Sequence, residues 1–194
     1  MIRQWFFVMI VFLAFGFAVA CGGGAGSIAS SKYHGVKAAG VPGYADGDTM
    51  PNFTLVSNSG AMVSLTDHKG KVILLQLAAM WCPVCQGDTP LLETEYYLPY
   101  RNRGPGFVVL QLLNSDDFDN TPSVSELETW ASDYGLTFPA LADDGTVFGA
   151  INPGYVPYYI VLDANLTVVA TSDDGGNEYG LSYFDPFVRD LLGG

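Results

Sequence analysis

The chain has 194 residues, of which 49% are hydrophobic and 14% charged, with 8 Lys and Arg against 20 Asp and Glu and a net charge of −12. A composition this apolar and aromatic excludes an intrinsically disordered chain, and the length allows one domain with a real core. The acidity excludes nucleic acid as a partner, because no basic patch exists to neutralise phosphate, and it opposes charge-driven docking on anionic lipid; solubility alone accounts for it.

Residues 1–20 read as an export signal. Arg3 supplies the positive start, Trp5 to Val19 is apolar and uncharged, and Ala18-Val19-Ala20 offers the small residues of a cleavage site. The apolar run is short for a membrane span. Its removal leaves 7 basic and 20 acidic residues, a charge of −13. Ala18-Val19-Ala20-Cys21 resembles the lipobox of bacterial lipoproteins, although that pattern usually carries Leu where Ala18 stands. The resemblance implies cleavage before Cys21 and lipid on its sulfur, and it accounts for an odd cysteine count. Ordinary cleavage with a free Cys21 thiol, and an uncleaved anchor, are the alternatives. Residues 21–49 follow as a Gly/Ala/Ser-rich flexible tether, and residues 50–194 form the domain.

Within the domain, strands and helices alternate. Asn52 to Val56 and Ala61 to Ser64 are short β candidates around a Ser57-Asn58-Ser59-Gly60 turn, and Lys71 to Ala79 is the first strong strand. Pro83 to Asn102 predicts a long helix broken at Pro90. Gly106 to Leu113 is a second buried strand, and Asp116 to Pro122 a loop. Ser123 opens a helix running to about Tyr134, with Glu126 completing a capping box. Thr137 to Leu141 is extended and Gly145 to Ile151 a short helix. Tyr158 to Leu162 and Thr167 to Thr171 are strands joined by Asp163-Ala164-Asn165, and Tyr183 to Leu192 is a final helix. The pattern predicts an α/β fold with parallel strands and a closing antiparallel hairpin.

Trp81-Cys82-Pro83-Val84-Cys85 lies between the first strong strand and the long helix. Its spacing puts two sulfurs within one helical turn, with Cys82 at the helix N-terminus, where free N–H groups and the helix dipole favour a thiolate. Pro83 suits the first helical position, since its missing N–H has no partner there in any case. The motif thus combines a nucleophile, an activating field and a resolving thiol. Half of a zinc site is an alternative, but such a site needs four ligands, and neither His34 nor His68 has ligand spacing to the pair. A purely structural disulfide would close too short a loop to constrain the unfolded chain strongly. Asp116-Asp117-Phe118-Asp119, Asp143-Asp144 and Asp173-Asp174 lack the spacing of a calcium loop and read as turns.

Together these features resemble the thioredoxin-like superfamily, and within it the exported TlpA/ResA-like, redoxin branch. Met50-Pro51-Asn52-Phe53-Thr54-Leu55 is similar to its opening strand, Leu65 with Lys69-Gly70-Lys71 to the entry of its central strand, and Pro90 to the proline of its active-site helix. Val156-Pro157, before Tyr158-Tyr159-Ile160-Val161-Leu162-Asp163, is similar to its cis-proline loop. The separation of 75 positions between Cys82 and Pro157 fits a branch with an insert, here roughly residues 115–150.

The resemblance implies a central mixed sheet flanked by helices, with an N-terminal β extension and that insert before the cis-Pro loop. It makes Cys82 the attacking thiol, more exposed at the helix tip, and Cys85 the resolving one. Pro157 would be cis, facing the sulfurs and turning a backbone edge toward the substrate. Trp81 would pack beside the disulfide and Tyr155 near a substrate groove, with Tyr158 and Tyr159 alternating in burial.

Three departures stand out. Gln76 occupies the position where thioredoxin has a buried acid, so water, another acid or the substrate must take the resolving thiol's proton. Val156 replaces a hydroxyl residue, and Pro83-Val84 brings no charge to bias the potential. The implied activity is extracytoplasmic thiol-disulfide exchange with protein thiols and an upstream redox partner, using the Cys82–Cys85 disulfide and no further cofactor or metal, and meeting the membrane only through lipid on Cys21. A peroxiredoxin-like thiol peroxidase is an alternative. Aligning its P-x-x-x-[TS]-x-x-C motif on Cys85 puts Ala78 and Cys82 where the peroxide-orienting residues belong. A copper-assembly module of the Sco type would need C-x-x-x-C and a later His, and no His follows His68.

Overall fold

The structure is a computed structural model that describes residues 42–175 and 180–194. The signal, Cys21 and most of the tether lie outside the described residues. Seven described strands form one mixed sheet in the order β2-β1-β5-β4-β3-β6-β7: β1 (Thr54–Ser57), β2 (Met62–Ser64), β3 (Val72–Ala78), β4 (Phe107–Leu113), β5 (Ala140–Ala142), β6 (Tyr158–Leu162) and β7 (Val168–Thr171). β3, β4 and β5 run parallel, while β6 and β7 close the sheet as an antiparallel pair.

β3 and β4 are buried along their whole length. Strands covered on both faces need near-continuous apolar sequence, which these two have. Ile73, Leu75, Leu77 and Leu110 point into one core with Tyr158 and Ile160, whereas Val72, Leu74 and Val109 point into the other with Tyr159 and Val161. Tyr158 and Tyr159 therefore alternate in direction but not in burial, because a central strand has no solvent face.

The helices are α1 (Pro83–Leu91), α2 (Leu98–Tyr100), α3 (Val124–Asp133), α4 (Thr146–Ile151) and α5 (Asp185–Leu191). Pro90 does not break α1, as its spacing predicts; the helix passes through it and then widens into a π turn over Leu92–Tyr97 that joins α2. The missing N–H of Pro90 and of Pro99 brackets this turn, and a widened register is one way to absorb such interruptions. Buried Glu93 in the turn accepts the Thr137 N–H at 2.8 Å, which pins the approach to β5. Ser123 caps α3 with Glu126, as the capping box predicts.

Residues 42–49, which composition reads as tether, pair with the hairpin: Gly47 N–H donates to the Val168 carbonyl at 2.9 Å and Val168 N–H to Asp48 at 2.8 Å. Backbone pairing of this kind leaves no mark on composition, so the packed unit extends before Met50. Among the described residues no helix is long and apolar enough to cross a membrane.

His68 ends a short 3-10 turn, Leu65–His68, just before β3, and neither ring nitrogen has a hydrogen-bond partner. Burial, aided by Lys71 and opposed by Asp67, lowers its pKa below 6.5. The unfolded chain then binds the proton first, so stability is full above about pH 6.5 and falls as the pH drops toward the folded pKa. Replacing His68 with Leu is expected to flatten the loss of thermal stability between neutral and mildly acidic pH, as measured by melting temperature.

Candidate active site

β3 ends at Ala78, and the chain turns through Met80 and Trp81 into α1. Met80 N–H donates to the Ser115 carbonyl at 2.8 Å, and Gln86 Nε2 to the Met80 carbonyl at 2.7 Å, so the turn is tied to both the loop after β4 and the helix it opens. Cys82 is the N-cap of α1, Pro83 its first residue, and the Cys82 sulfur accepts the Cys85 backbone N–H at 3.2 Å. Here the helix start directs a free donor at sulfur. Both thiols are unbonded to one another. Cys85 is 0% exposed and Cys82 only 4%, so the attacking thiol is less open than a helix tip suggests. Val156 packs against the cluster that holds both cysteines, and its carbonyl accepts from the Cys82 thiol at 3.8 Å. The Val156–Pro157 peptide is cis.

Trp81 does not fill the core. It is 49% exposed, and its indole N–H donates to Ser115 Oγ at 3.1 Å. Val84 is 60% exposed. Tyr155 lines a groove of about 390 Å³ together with Trp81, Ser115, Asp119, Phe148 and Val156. Trp81, Tyr155 and Val156 thus share one groove, and the Val156 carbonyl reaches from it to the Cys82 sulfur.

A hydrogen-bonded chain beneath them was not legible as such. Gln76 sits in register with Gln111 on β4 and with Tyr159 on β6. Trp130 Nε1 donates to Gln111 Oε1 at 2.8 Å, and Gln111 Nε2 to Gln76 Oε1 at 2.7 Å. Gln76 Nε2 donates to the Tyr159 hydroxyl at 2.7 Å, which donates to Asp88 Oδ2 at 2.6 Å. A branch runs from Gln111 Nε2 to Thr89 Oγ1 and on to the Cys85 carbonyl. An indole N–H can only donate, so Trp130 fixes the orientation of Gln111, and each amide fixes the next. The Tyr159 hydroxyl is left with one proton to give, and Asp88 receives it.

Asp88 lies three residues after Cys85 on the same helix, where side chains are neighbours. Burial raises the Asp88 pKa, and the Tyr159 hydrogen bond opposes the rise. Burial also pushes the Cys85 thiol far up, with the Cys82 hydrogen bond and the Cys82 and Asp88 charges adding to it, while a backbone hydrogen bond at Ala79 works the other way. A thiol that resists ionisation beside a carboxylate of raised basicity is an arrangement for moving one proton. The three-residue spacing after Cys85 was the one available signal for Asp88. Among the described residues, no three His, Cys, Asp or Glu side chains converge as metal ligands would.

A dithiol at the first turn of a helix, carried by a central strand of a mixed sheet, defines a thioredoxin-like protein. The sheet superimposes on the thioredoxin domain of a thiol-disulfide oxidoreductase from Bacteroides vulgatus with a TM-score of 0.57, at 22% identity, over 74% of this chain and 98% of that one. The chain belongs to the AhpC/TSA family, whose model matches residues 47–171. It is 30% identical over 121 residues to the thioredoxin-like protein YneN of Bacillus subtilis, covering 62% of this chain and 67% of that one. It is 25% identical over 132 residues to the thiol-disulfide oxidoreductase ResA of the same organism, covering 68% and 69%.

If Asp88 takes the Cys85 proton, Asp88→Asn slows closure of the Cys82–Cys85 disulfide by about a hundredfold and spares the first attack by Cys82. Closure in the wild type accelerates as pH rises through the raised Asp88 pKa. Tyr159→Phe removes the bond that holds that pKa down, so the acid limb moves to higher pH. Rapid-quench mass measurement of the mixed disulfide across pH separates the two steps.

Proposed function

We propose that the chain works outside the cytoplasm, exchanging its Cys82–Cys85 dithiol and disulfide with protein thiols, and that lipid on Cys21 holds it to a membrane. It is a thiol-disulfide oxidoreductase, and the observation that carries this is the Cys82 sulfur at the α1 N-terminus, backed by buried Cys85 with a proton acceptor. ResA, so named, is a thiol-disulfide oxidoreductase with the same kind of domain. The export reading rests on residues 1–21 of the sequence.

In the reducing direction, Cys82 sulfur attacks one sulfur of a partner disulfide, forming a mixed disulfide and releasing the other partner sulfur as a thiolate. Cys85 then gives its proton to Asp88, attacks the Cys82 sulfur and releases the second partner thiolate. One S–S bond breaks in the partner, one forms in the protein, two electrons pass to the partner, and its two thiolates take up the two protons the dithiol lost, that of Cys82 by way of solvent and that of Cys85 by way of Asp88. The oxidising direction is the reverse, and an upstream dithiol or disulfide partner resets the pair. The dithiol itself is the only cofactor in this scheme.

Peroxidase chemistry would need donors aimed at a peroxide beside the thiolate. Ala78 supplies none, and Cys82 occupies the hydroxyl position. Cys82→Ser is expected to abolish the reversible two-electron titration against glutathione and reduction of insulin, while Cys85→Ser accumulates a mixed disulfide at Cys82. Hydrogen peroxide consumption by the reduced protein, without protein disulfide exchange, would replace this reading with the peroxidase. Mass measurement of Cys21 in membrane-derived protein shows whether lipid is attached.

A further inference from the structure

Five Lys and Arg residues lie among the described residues, and all sit at the end of the sheet away from the dithiol. Lys69 and Lys71 precede β3. Arg101 and Arg103 precede the parallel strand β4, and the Lys71 side chain passes close to Gly106 beside them. The Arg103 and Arg189 guanidinium groups lie 5.5 and 6.0 Å from the ring of Tyr100, which packs on Phe107 at the start of β4. β3 separates this end from Cys82 by roughly 23 Å, at about 3.3 Å per residue. That is more than two screening lengths of about 10 Å at moderate salt.

The dithiol end carries the opposite charge. Asp88 faces Cys85 from α1. Asp116 and Asp117 sit in the loop after β4, and Asp119 in that loop accepts from Ser115, the residue that holds the Trp81 indole. Asp144 follows β5. Asp173 accepts from the hydroxyls of Tyr155 and Tyr158 at 3.4 and 2.9 Å. None of these carboxylates is in an ion pair, since the one ion pair among the described residues is Arg189–Asp185 at the other end. Between them lies the groove of Trp81, Tyr155, Val156 and Phe148, with Phe118 82% exposed nearby.

We propose that this groove takes an extended, cationic segment of a partner protein, in which Lys or Arg residues flank the reacting cysteines. The inference rests on the dithiol-exchange reading and adds the substrate's chemistry to it. The apolar floor accepts the stem of a long basic side chain, while its charge meets Asp119 or Asp173 at the rim. The field of an end with many carboxylates and, among the described residues, no cation raises the local concentration of cationic segments and repels anionic ones, so discrimination appears in the association rate. The chemical step is unchanged: the reduced pair gives two electrons to the segment's disulfide, closing its own S–S bond as the other opens.

The test uses the full reduced chain and three disulfide peptides of equal length whose cysteines are flanked by Lys, by Glu or by Ser. At low ionic strength the Lys peptide is expected to react about tenfold or more faster than the Glu peptide, with the Ser peptide between, and the ratio should approach one at high salt. Asp117→Asn, Asp119→Asn and Asp173→Asn combined should collapse the low-salt ratio. Arg101→Gln with Arg103→Gln, at the far end, should leave it intact. Equal rates for all three peptides would overturn the cationic partner and leave the exchange reading standing. No reaction with the Ser peptide or the other two would overturn the exchange reading itself. The wild-type salt dependence decides the matter even if the triple variant fails to fold.

Discussion

The Cys85 sulfur must carry negative charge for the instant in which it attacks Cys82, and it must do so where burial opposes any charge. The polar chain beneath it answers to that constraint. Cys85 is fully covered, in one cluster with Ala78, Leu113 and Ala140. A proton leaving it needs an acceptor within reach, and Asp88 is the carboxylate one helical turn away. Burial also raises the Asp88 pKa, which makes its carboxylate a better proton acceptor. The Tyr159 hydrogen bond opposes that rise.

The sheet supplies this chain as a by-product of its register. Gln111, Gln76 and Tyr159 are paired neighbours on β4, β3 and β6, so three polar side chains lie in one row across strands that are otherwise apolar. Two uncharged amides can be buried there because each amide oxygen and nitrogen has a hydrogen-bond partner. An acid at position 76 could not be dropped into the same row without changing it, since Gln76 must accept from Gln111 and donate to Tyr159 together. The end of the row that sets its direction comes from the insert. Trp130 on α3 gives the indole N–H that orients Gln111, so the segment between β4 and the cis-Pro loop bears on the dithiol through this row as well as through the cluster it shares with both cysteines. The carboxylate that this row reaches, Asp88, stands on α1 rather than in the sheet.

Much of this was legible from the residues. The apolar runs of β3 and β4, the capping box at Ser123 and the Cys-x-x-Cys at a helix start are local signals, and each formed where its chemistry required. Gln76 announced that a proton acceptor was missing, but not where its replacement stood. Asp88 is an ordinary helical acid until Tyr159, 71 residues later, donates to it. Long-range pairing of this sort has no local trace. The same holds for residues 42–49, whose Gly and Ala content conceals backbone bonds to β7, and for Tyr158 and Tyr159, whose burial on both faces depends on neighbours the alternation cannot show. Pro90 misled for a different reason: a proline forbids one hydrogen bond, and the chain kept its direction by widening the next turn.

The acidic rim and the buried acid act on different steps, one on arrival of the partner and the other on its release. Both depend on the dithiol end having no cation among the described residues to quench them. The account turns on the protonation of two side chains, and selective labelling of Cys85 Cβ and Asp88 Cγ for NMR titration of the reduced protein reads both directly. It predicts that Cys85 keeps its thiol shift through the range near pH 8.5 where a free cysteine ionises, while Asp88 titrates above the ordinary carboxylate range. A Cys85 that titrates at or below the free-thiol value, or an Asp88 that titrates as an exposed carboxylate does, would contradict it.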